Sequence, residues 1–251
     1  NRMLDLFAEN GKLNPEILSL EKEAARKVRV SPQGKNHKSS REWRWPDTSS
    51  SSGKNLSRPE VIEKLDREGM LPAITFIFSR AACAAAVKQC VDSGLVLTNA
   101  EERSQIRELA FSKTNHIPEE DLVVLGFHEW LEALERGIAA HHAGMLPTFK
   151  EVVEELFQRG LVRAVFATET LALGINMPAK TVVLEKLSKW NGEGHVAITP
   201  GEFTQLTGRA GRRGIDIEGN AVVIWSPTVD STTAAGLAAT RTYPLRSSFS
   251  P

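Results

Sequence analysis

The sequence of 251 residues lacks any apolar run approaching the ~18 residues that a membrane-spanning helix needs. It has only two cysteines, Cys83 and Cys90, which we expect to be buried thiols; a disulfide is not expected, and zinc ligands are missing around them. Its 31 basic and 31 acidic residues cancel, so any nucleic-acid site must come from local charge. We recognise no signal peptide and expect a cytoplasmic protein.

What the chain does have is a regular alternation of apolar runs and amphipathic segments. Apolar, β-branched runs predict strands at 73–78, 137–142, 162–168, 181–184 and 221–225. Helices are predicted between and around them, at 58–70, 80–91, 101–113, 119–136, 148–159 and 201–213. This alternation predicts an α/β fold with a doubly wound, mostly parallel sheet, whose ligands bind at the carboxyl ends of the strands.

The ends of the chain differ from this pattern. Residues 1–30 predict a short helical piece, and residues 31–57 are rich in Ser, Gly and Lys, which is typical of a linker. Within that linker, Trp43 and Trp45 alternate with arginines, so the tract around 26–58 is either a mobile tether or a grip on single strands.

The segment "QLTGRAGRRG" carries the most informative polar residues. If it is helical, Gln205, Arg209 and Arg212 fall within about 60° of one another. Forked guanidinium donors suit phosphate oxygens, and glycine at every third position suits a close approach of another surface. The alternative is a solvated basic helix face.

The segment "VFATETLALGINMP" predicts a buried strand that runs into a polar loop. Thr168, Glu169 and Thr170 follow the strand, and short hydroxyls and backbone amides at such a position suit phosphate contacts. Gly174 permits close backbone approach, and the Asn176 amide could meet a sugar hydroxyl. The alternative is an ordinary connection between a strand and a loop.

Two further segments place polar residues between a strand and a helix. Ser79 could cap a helix, contact a phosphate at the helix N-terminus, or do both. The pair His141 and His142 in "AAHHAGMLP" could suggest a metal, but no other ligands stand at the required spacing, so we predict packing or strand contact.

The sequence has neither a G-x-x-x-x-G-K-[ST] phosphate loop nor a D-E-x-[HD] magnesium box. Arginines suited to phosphates without such a cradle predict that another polypeptide region supplies the cradle. The alternative is a non-enzymatic module that binds single strands or a protein. The coding sequence upstream of Asn1 distinguishes the two, because only the first alternative requires both motifs there.

Together with "FIFSR", these segments resemble the superfamily 2 DExH helicases of the superkiller and exosome-associated (Ski-like) type, over about residues 58–227. The resemblance implies a RecA-like helicase C-terminal domain at 58–227. It also implies that residues 1–30 leave a first RecA-like domain, that 31–57 are a variable connector, and that 228–251 lead to a winged-helix domain.

The resemblance also implies roles for individual residues. Arg209 and Arg212 match the motif VI arginines that reach the γ-phosphate of ATP, and Gln205 lies beside the nucleotide, as do Gly174 and Asn176. The residues matching motifs on the nucleic-acid side are Ser79, Arg80, His142, Ala143, Gly144, Thr168, Glu169 and Thr170.

The function implied is that of the second motor domain of an ATP-dependent helicase translocating 3′ to 5′. RNA is favoured as the strand, and a DNA-repair helicase of the same superfamily is the alternative. ATP and Mg²⁺ would be held mainly by the first RecA-like domain, so we expect this chain alone to be inactive. The implied partners are single-stranded nucleic acid, the first RecA-like and winged-helix domains, and an RNA-degradation complex; no membrane is involved.

Overall fold

The computed structural model describes residues 2–30, 56–172, 177–226 and 231–240. The chain divides into two compact units: residues 1–56 with 225–236, and residues 57–224 with 237–251. Nearly all of the predicted linker at 31–57 lies outside the described residues, so the alternatives of tether and strand grip stay open. The domain boundaries inferred from the sequence likewise stay predictions.

Helices and strands follow one another through the described residues. The α-helices are α1 (Pro15–Val30), α2 (Arg58–Arg67), α3 (Arg80–Asp92), α4 (Ala100–Thr114), α5 (Glu119–Val124), α6 (Phe127–Glu135), α7 (Pro147–Gln158), α8 (Pro200–Thr207) and α9 (Ser231–Ala239). The strands are β1 (Ala73–Phe76), β2 (Ile138–His141), β3 (Ala164–Ala167), β4 (Thr181–Leu184), β5 (Ser188–Trp190), β6 (His195–Ala197) and β7 (Asn220–Val223). A 3-10 helix spans Glu169–Ala172.

The second unit is built on one parallel sheet. Its strands lie in the order β2, β3, β1, β4, β7, and each neighbouring pair is parallel. All residues of β1, β3 and β4 are buried, as expected for central strands covered on both faces. The chain crosses this sheet in both directions, which with right-handed connections places helices on both faces. The predicted α/β fold with a parallel sheet is confirmed.

The register of the sheet brings the strand ends into one line. Phe76 pairs with Ala167 on one side and with Leu184 on the other. Ala167 pairs in turn with His141, and Leu184 with Val223. The residues that follow these five therefore emerge along one side of the sheet, which we call the carboxyl edge.

Some elements of the second unit differ from those predicted. The predicted helix at 119–136 is two helices, α5 and α6, because Gly126 between them has a left-handed φ of 70°. Strands β5 and β6 form an antiparallel hairpin that the apolar pattern did not predict. The turn is stabilised by Asn191, whose Oδ1 accepts hydrogen bonds from the N–H groups of Glu193 (3.0 Å) and Gly194 (2.9 Å).

The first unit joins the predicted N-terminal helix to the segment after the sheet. Glu21 on α1 accepts hydrogen bonds from the N–H (2.9 Å) and the Oγ (2.8 Å) of Ser231. Its Oε1 also accepts one from Nε1 of Trp225 at 3.3 Å. A single carboxylate thus ties α1 to the start of α9, a helix that the Ser- and Ala-rich composition of the tail did not predict.

Both cysteines lie on α3 and are buried free thiols, as predicted. Burial raises the pKa of Cys83 and of Cys90 to about 12, chiefly because the ionised form would lose its hydration. Across the described ranges, none of the helices is both long and apolar enough to span a membrane.

Candidate nucleic-acid and nucleotide sites

The carboxyl edge brings together the three segments predicted to contact a nucleic-acid strand. Ser79 and Arg80 follow β1, and Thr168–Thr170 follow β3. His142–Gly144 follow β2, which is the other neighbour of β3. Because the strand ends are aligned, segments far apart in the sequence become neighbours, as the parallel-sheet prediction required.

Ser79 and Arg80 lie at the exposed N-terminus of α3. Ser79 is the N-cap of that helix, and its Oγ accepts a hydrogen bond from the N–H of Ala82 at 3.4 Å. The capping role is therefore confirmed, and the phosphate contact stays a prediction. A Cβ on Gly144 would lie 3.4 Å from Cδ of Arg80, so the segments after β1 and β2 are in close proximity.

The two adjacent histidines have different surroundings. His141 is 2% exposed, and its Nε2 lies 2.8 Å from Oε1 of Glu154, whereas its Nδ1 has no hydrogen-bond partner in the described part of the chain. His142 is half-buried, and its Nδ1 accepts the N–H of Gly144 at 3.2 Å. Burial lowers the pKa of both rings, and Arg80 lowers that of His142 further. The contacts of His141 are those of a packed side chain.

The loop after β3 forms a hydroxyl pair of unequal exposure. Thr168 is buried, and its Oγ1 lies 2.9 Å from Oγ1 of the exposed Thr170. The N–H of Thr168 donates to the carbonyl of His141 at 3.3 Å, which ties this loop to the end of β2. Thr170 is therefore the exposed member of the pair, and its hydroxyl is held by that of Thr168. Gly174 and Asn176, predicted to lie near the nucleotide, fall in residues 173–176, outside the described ranges.

The predicted helix at 201–213 is wrong in its second half. Helix α8 ends at Thr207, so Gln205 lies on the helix whereas Arg209 and Arg212 do not, and the three share no helical face. After the helix, the backbone pairs with another segment. The N–H of Ala179 donates to the carbonyl of Arg209 (2.9 Å), and the N–H of Gly211 donates to the carbonyl of Ala179 (2.7 Å).

Glycines in and beside this arginine segment (residues 209–216) permit backbone contacts that a side chain would block. A Cβ on Gly219 would lie 2.4 Å from the carbonyl carbon and oxygen of Ala210. Gly211 has a φ of 90°, in the region that favours glycine. Of the three regularly spaced glycines, only Gly211 is approached by another segment, the backbone of Gly219 in the same chain, whereas a Cβ on Gly214 would meet nothing within 4 Å. Since Ala179 precedes β4 and Gly219 precedes β7, the segment lies at the amino ends of these strands.

The two predicted finger arginines make different contacts. Arg209 donates from Nη2 to the carbonyl oxygen of Ala172, the last residue of the 3-10 helix, at 2.6 Å. Burial lowers the pKa of Arg209, which remains a cation because guanidinium starts from so high a value. Through this bond Arg209 contacts the same short helix that begins after Thr168.

Arg212 forms a bidentate ion pair that the sequence-based interpretation missed. Its Nε and Nη2 donate to the carboxylate of Asp216 at 2.8 and 2.7 Å, and its backbone N–H donates at 2.9 Å. These bonds lower the pKa of Asp216 to about 2. The Asp216 side chain is 5% exposed and that of Arg212 is 26% exposed, so part of the guanidinium still faces solvent. The sequence feature that could have indicated this pair is the aspartate four residues after Arg212.

Comparison with known proteins agrees with this arrangement. The model of the "Helicase conserved C-terminal domain" family matches residues 89–214. The chain is 67% identical to "Probable helicase HelY" of Mycobacterium tuberculosis over 194 residues, which are 77% of this chain and 21% of that protein. It is 39% identical to "Antiviral helicase SKI2" of Saccharomyces cerevisiae over 168 residues, 66% of this chain and 13% of that protein.

A plant relative extends the same pattern. The chain is 49% identical to "DExH-box ATP-dependent RNA helicase DExH15 chloroplastic" of Arabidopsis thaliana over 166 residues, 66% of this chain and 14% of that protein. The chain thus spans about a fifth or less of these relatives. The predicted resemblance to Ski-like DExH helicases is confirmed, and the chain belongs to the helicase conserved C-terminal domain family.

Proposed function

We propose that this chain is the second motor domain of an ATP-dependent helicase, in which movement at a nucleotide is transmitted to a nucleic-acid strand. The observation that carries the proposal is the bond from Arg209 to Ala172. It joins Arg209, a predicted nucleotide contact, to the last residue of the 3-10 helix Glu169–Ala172, and the first two residues of that helix, Glu169 and Thr170, are predicted contacts of the nucleic-acid strand.

On the nucleotide side, Arg209 and Arg212 supply positive charge to the γ-phosphate of ATP, with Gln205, Gly174 and Asn176 beside the nucleotide. A guanidinium has five N–H donors, and the side chain of Arg212 uses two of them on Asp216, which leaves three for phosphate oxygens. The ion pair with Asp216 therefore orients the Arg212 guanidinium and leaves N–H donors available for a phosphate. A first RecA-like domain holds Mg²⁺ and most of the phosphate contacts, and ATP supplies the transferred phosphoryl group.

Stabilising charge in phosphoryl transfer has a large effect on rate. An arginine finger contributes about 10³–10⁵ in turnover. When the γ-phosphate leaves, the attraction that closes the two motor domains falls. Ala172 then moves with Arg209, and the Thr168–Thr170 loop moves with Ala172.

On the nucleic-acid side, the carboxyl edge offers hydroxyl groups, backbone N–H groups and exposed cations, among them Arg80. Thr170 and Ser79 are exposed, and Gly144 leaves the backbone beside Arg80 accessible. Such groups contact phosphates and sugars without reading bases, so binding has little sequence preference. Glu169, His142, Ala143 and Thr168 complete this proposed surface.

We favour RNA as the strand, with 3′-to-5′ translocation and an RNA-degradation complex as the setting. The support comes from the plant relative named as an RNA helicase. A DNA-repair helicase is the alternative, and unwinding of matched RNA and DNA duplexes with 3′ tails distinguishes the two. Faster unwinding of the DNA duplex would overturn the RNA assignment without affecting the motor assignment. A cytoplasmic location stays part of the proposal.

The test is Arg212→Ala in the full-length protein. Turnover of ATP should fall by about 10³-fold or more while ATP binding stays within a few-fold, because the finger acts mainly on the transition state. Steady-state phosphate release and equilibrium binding of a fluorescent ATP analogue measure the two quantities. Arg103→Ala, an exposed arginine on α4, is the matched control and should leave both unchanged. Retained turnover in the Arg212 variant would refute the finger role.

A further inference from the structure

Lys189 on β5 connects three elements through one ammonium group. Its Nζ lies 2.7 Å from Oε2 of Glu169, the first residue of the 3-10 helix. The same Nζ lies 2.7 Å from Oε1 of Glu202, in the first turn of α8. The Lys189 side chain is only 21% exposed, so this three-residue network is partly shielded from solvent.

Glu202 is itself fixed to the start of α8. Its Oε2 accepts hydrogen bonds from the backbone N–H (2.7 Å) and the Oγ1 (2.9 Å) of Thr199, the N-cap residue. Its other oxygen is therefore the one that Lys189 contacts. Because the capping box fixes the Glu202 carboxylate at the start of α8, the ion pair also fixes the Lys189 ammonium there. Glu169, which pairs with the same ammonium, is thereby linked to α8.

A second tether acts at the other end of the 3-10 helix. Ala172, its last residue, accepts the hydrogen bond from Arg209, which stands two residues after α8 ends. Helix α8 also packs directly against the 3-10 helix. The short helix after Thr168 is thus held at its first residue through Lys189 and at its last residue by Arg209.

The network keeps its charges at neutral pH. Burial alone would lower the pKa of Lys189, but hydrogen bonds from its ammonium to Glu169 and Glu202 raise the pKa above the ordinary value. Burial likewise works against ionised Glu202, yet the bonds from Lys189 and Thr199 lower the pKa of that carboxyl. Networks of this kind, unlike single surface ion pairs, can hold elements in a fixed arrangement.

We propose that Lys189 is a positioning residue that makes the Thr168–Thr170 loop move with α8 and the arginine segment, and so couples ATP turnover to strand binding. The proposal rests on the proposed function and deepens it. Without the Lys189 link, Glu169 loses its ion pair to α8, whereas Ala172 keeps its bond to Arg209. Lys189 contacts neither ligand in this scheme and acts through Glu169 and Glu202.

The experiment compares Lys189→Met with Arg103→Met in the full-length protein. Methionine removes the charge but keeps an unbranched apolar chain, and Arg103 is an exposed cation on α4, away from the carboxyl edge and from the arginine segment. The readout is the ratio of strand-stimulated to basal ATP turnover, measured with a single-stranded RNA. We expect the ratio to fall by about 2- to 30-fold for Lys189→Met, the range for residues within a coupling network. Arg103→Met should retain the ratio, and Lys189→Arg should retain most of it.

Glu202→Gln provides a second, independent variant if the first folds poorly. This variant weakens the same link at α8, so it should lower the turnover ratio to a similar extent. In the double variant with Lys189→Met, the ratio should be no lower than in either single variant. Thermal unfolding of each variant is measured in parallel. An additive double variant, or a melting temperature that falls while the ratio holds, would mean that Lys189 only stabilises the fold and would overturn the proposal.

Failure of the proposed function gives a different result. If neither single-stranded RNA nor single-stranded DNA stimulates turnover by the wild-type protein, the motor assignment and the role of Lys189 fail together. If the wild type is stimulated and Lys189→Met is stimulated equally, the motor assignment stands and only the role of Lys189 is overturned.

Discussion

The carboxyl edge and the arginine segment are two functional regions built by different means. The edge arises because aligned parallel strands end together, so the scaffold fixes where Ser79, Gly144 and Thr170 emerge. The arginine segment is irregular, and its course depends on backbone contacts at Gly211 and Gly219. Side chains on the edge should therefore tolerate exchange, whereas a single methyl group can displace the arginine segment.

Among substitutions that test this difference between the two regions, Gly219→Ala beside the arginine segment is expected to have the largest effect. The new Cβ would lie 2.4 Å from the carbonyl of Ala210 and 2.5 Å from the N–H nitrogen of Gly211, closer than real contacts allow. Since backbone and not a flexible side chain must give way, we expect the free energy of unfolding to fall by about 3 kcal/mol. Chemical denaturation measures this change.

Gly194→Ala is the control, because a Cβ at Gly194 meets nothing within 4 Å and its φ is ordinary. Its unfolding free energy should be unchanged within about 0.5 kcal/mol. Equal stability of the two variants would show that the arginine segment rearranges easily. The two regions would then not differ in their sensitivity to substitution.

A smaller effect is expected from Asp216→Asn, and it depends on pH. The pKa of Asp216 is lowered to about 2, so its pair with Arg212 stabilises the fold above the ordinary aspartate range and loses that contribution as pH falls toward 2. At pH 7 the free energy of unfolding of the wild type should exceed that of the variant by about 2 kcal/mol, and this difference should shrink below pH 4. Denaturation between pH 7 and pH 3 measures it, and a difference independent of pH would contradict the pairing.

The smallest effect is expected on the carboxyl edge, from Arg80→Gln. Removing one exposed cation from the proposed nucleic-acid surface should weaken the binding of single-stranded nucleic acid roughly fivefold. It should also reduce the slope of log affinity against log salt by about 0.7–1. Fluorescence anisotropy across a salt series measures both, with Arg103→Gln as the control, and stability should not change. An unaltered salt slope would remove Arg80 from the strand surface.

The sequence was sufficient to predict the sheet and therefore the carboxyl edge. Apolar runs located β1, β3 and β4 within one or two residues, and parallel pairing then required that Ser79, His142 and Thr168 meet at one side. The order and register of the strands, in contrast, were not predicted, because an unbroken apolar run indicates a buried strand without identifying its neighbours.

The arginine segment could not be predicted in the same way. Helical periodicity suggested that α8 continues to residue 213, but the backbone after Gly208 instead pairs with Ala179, a partner thirty residues earlier. The pairing of Lys189 with Glu169 and Glu202 likewise joins residues that no local pattern connects. Such contacts depend on the tertiary fold, which overrides local propensity.

The buried cysteines have a practical consequence for following the motion proposed for this domain. Because the thiolate is the reactive form, a thiol whose pKa is about 12 hardly reacts with maleimides at neutral pH. This chain therefore needs no cysteine replacement before a dye is attached at an introduced surface cysteine, such as Ser104→Cys on α4. A donor dye at that position, together with an acceptor dye placed elsewhere in the protein, would then report distance changes by fluorescence transfer.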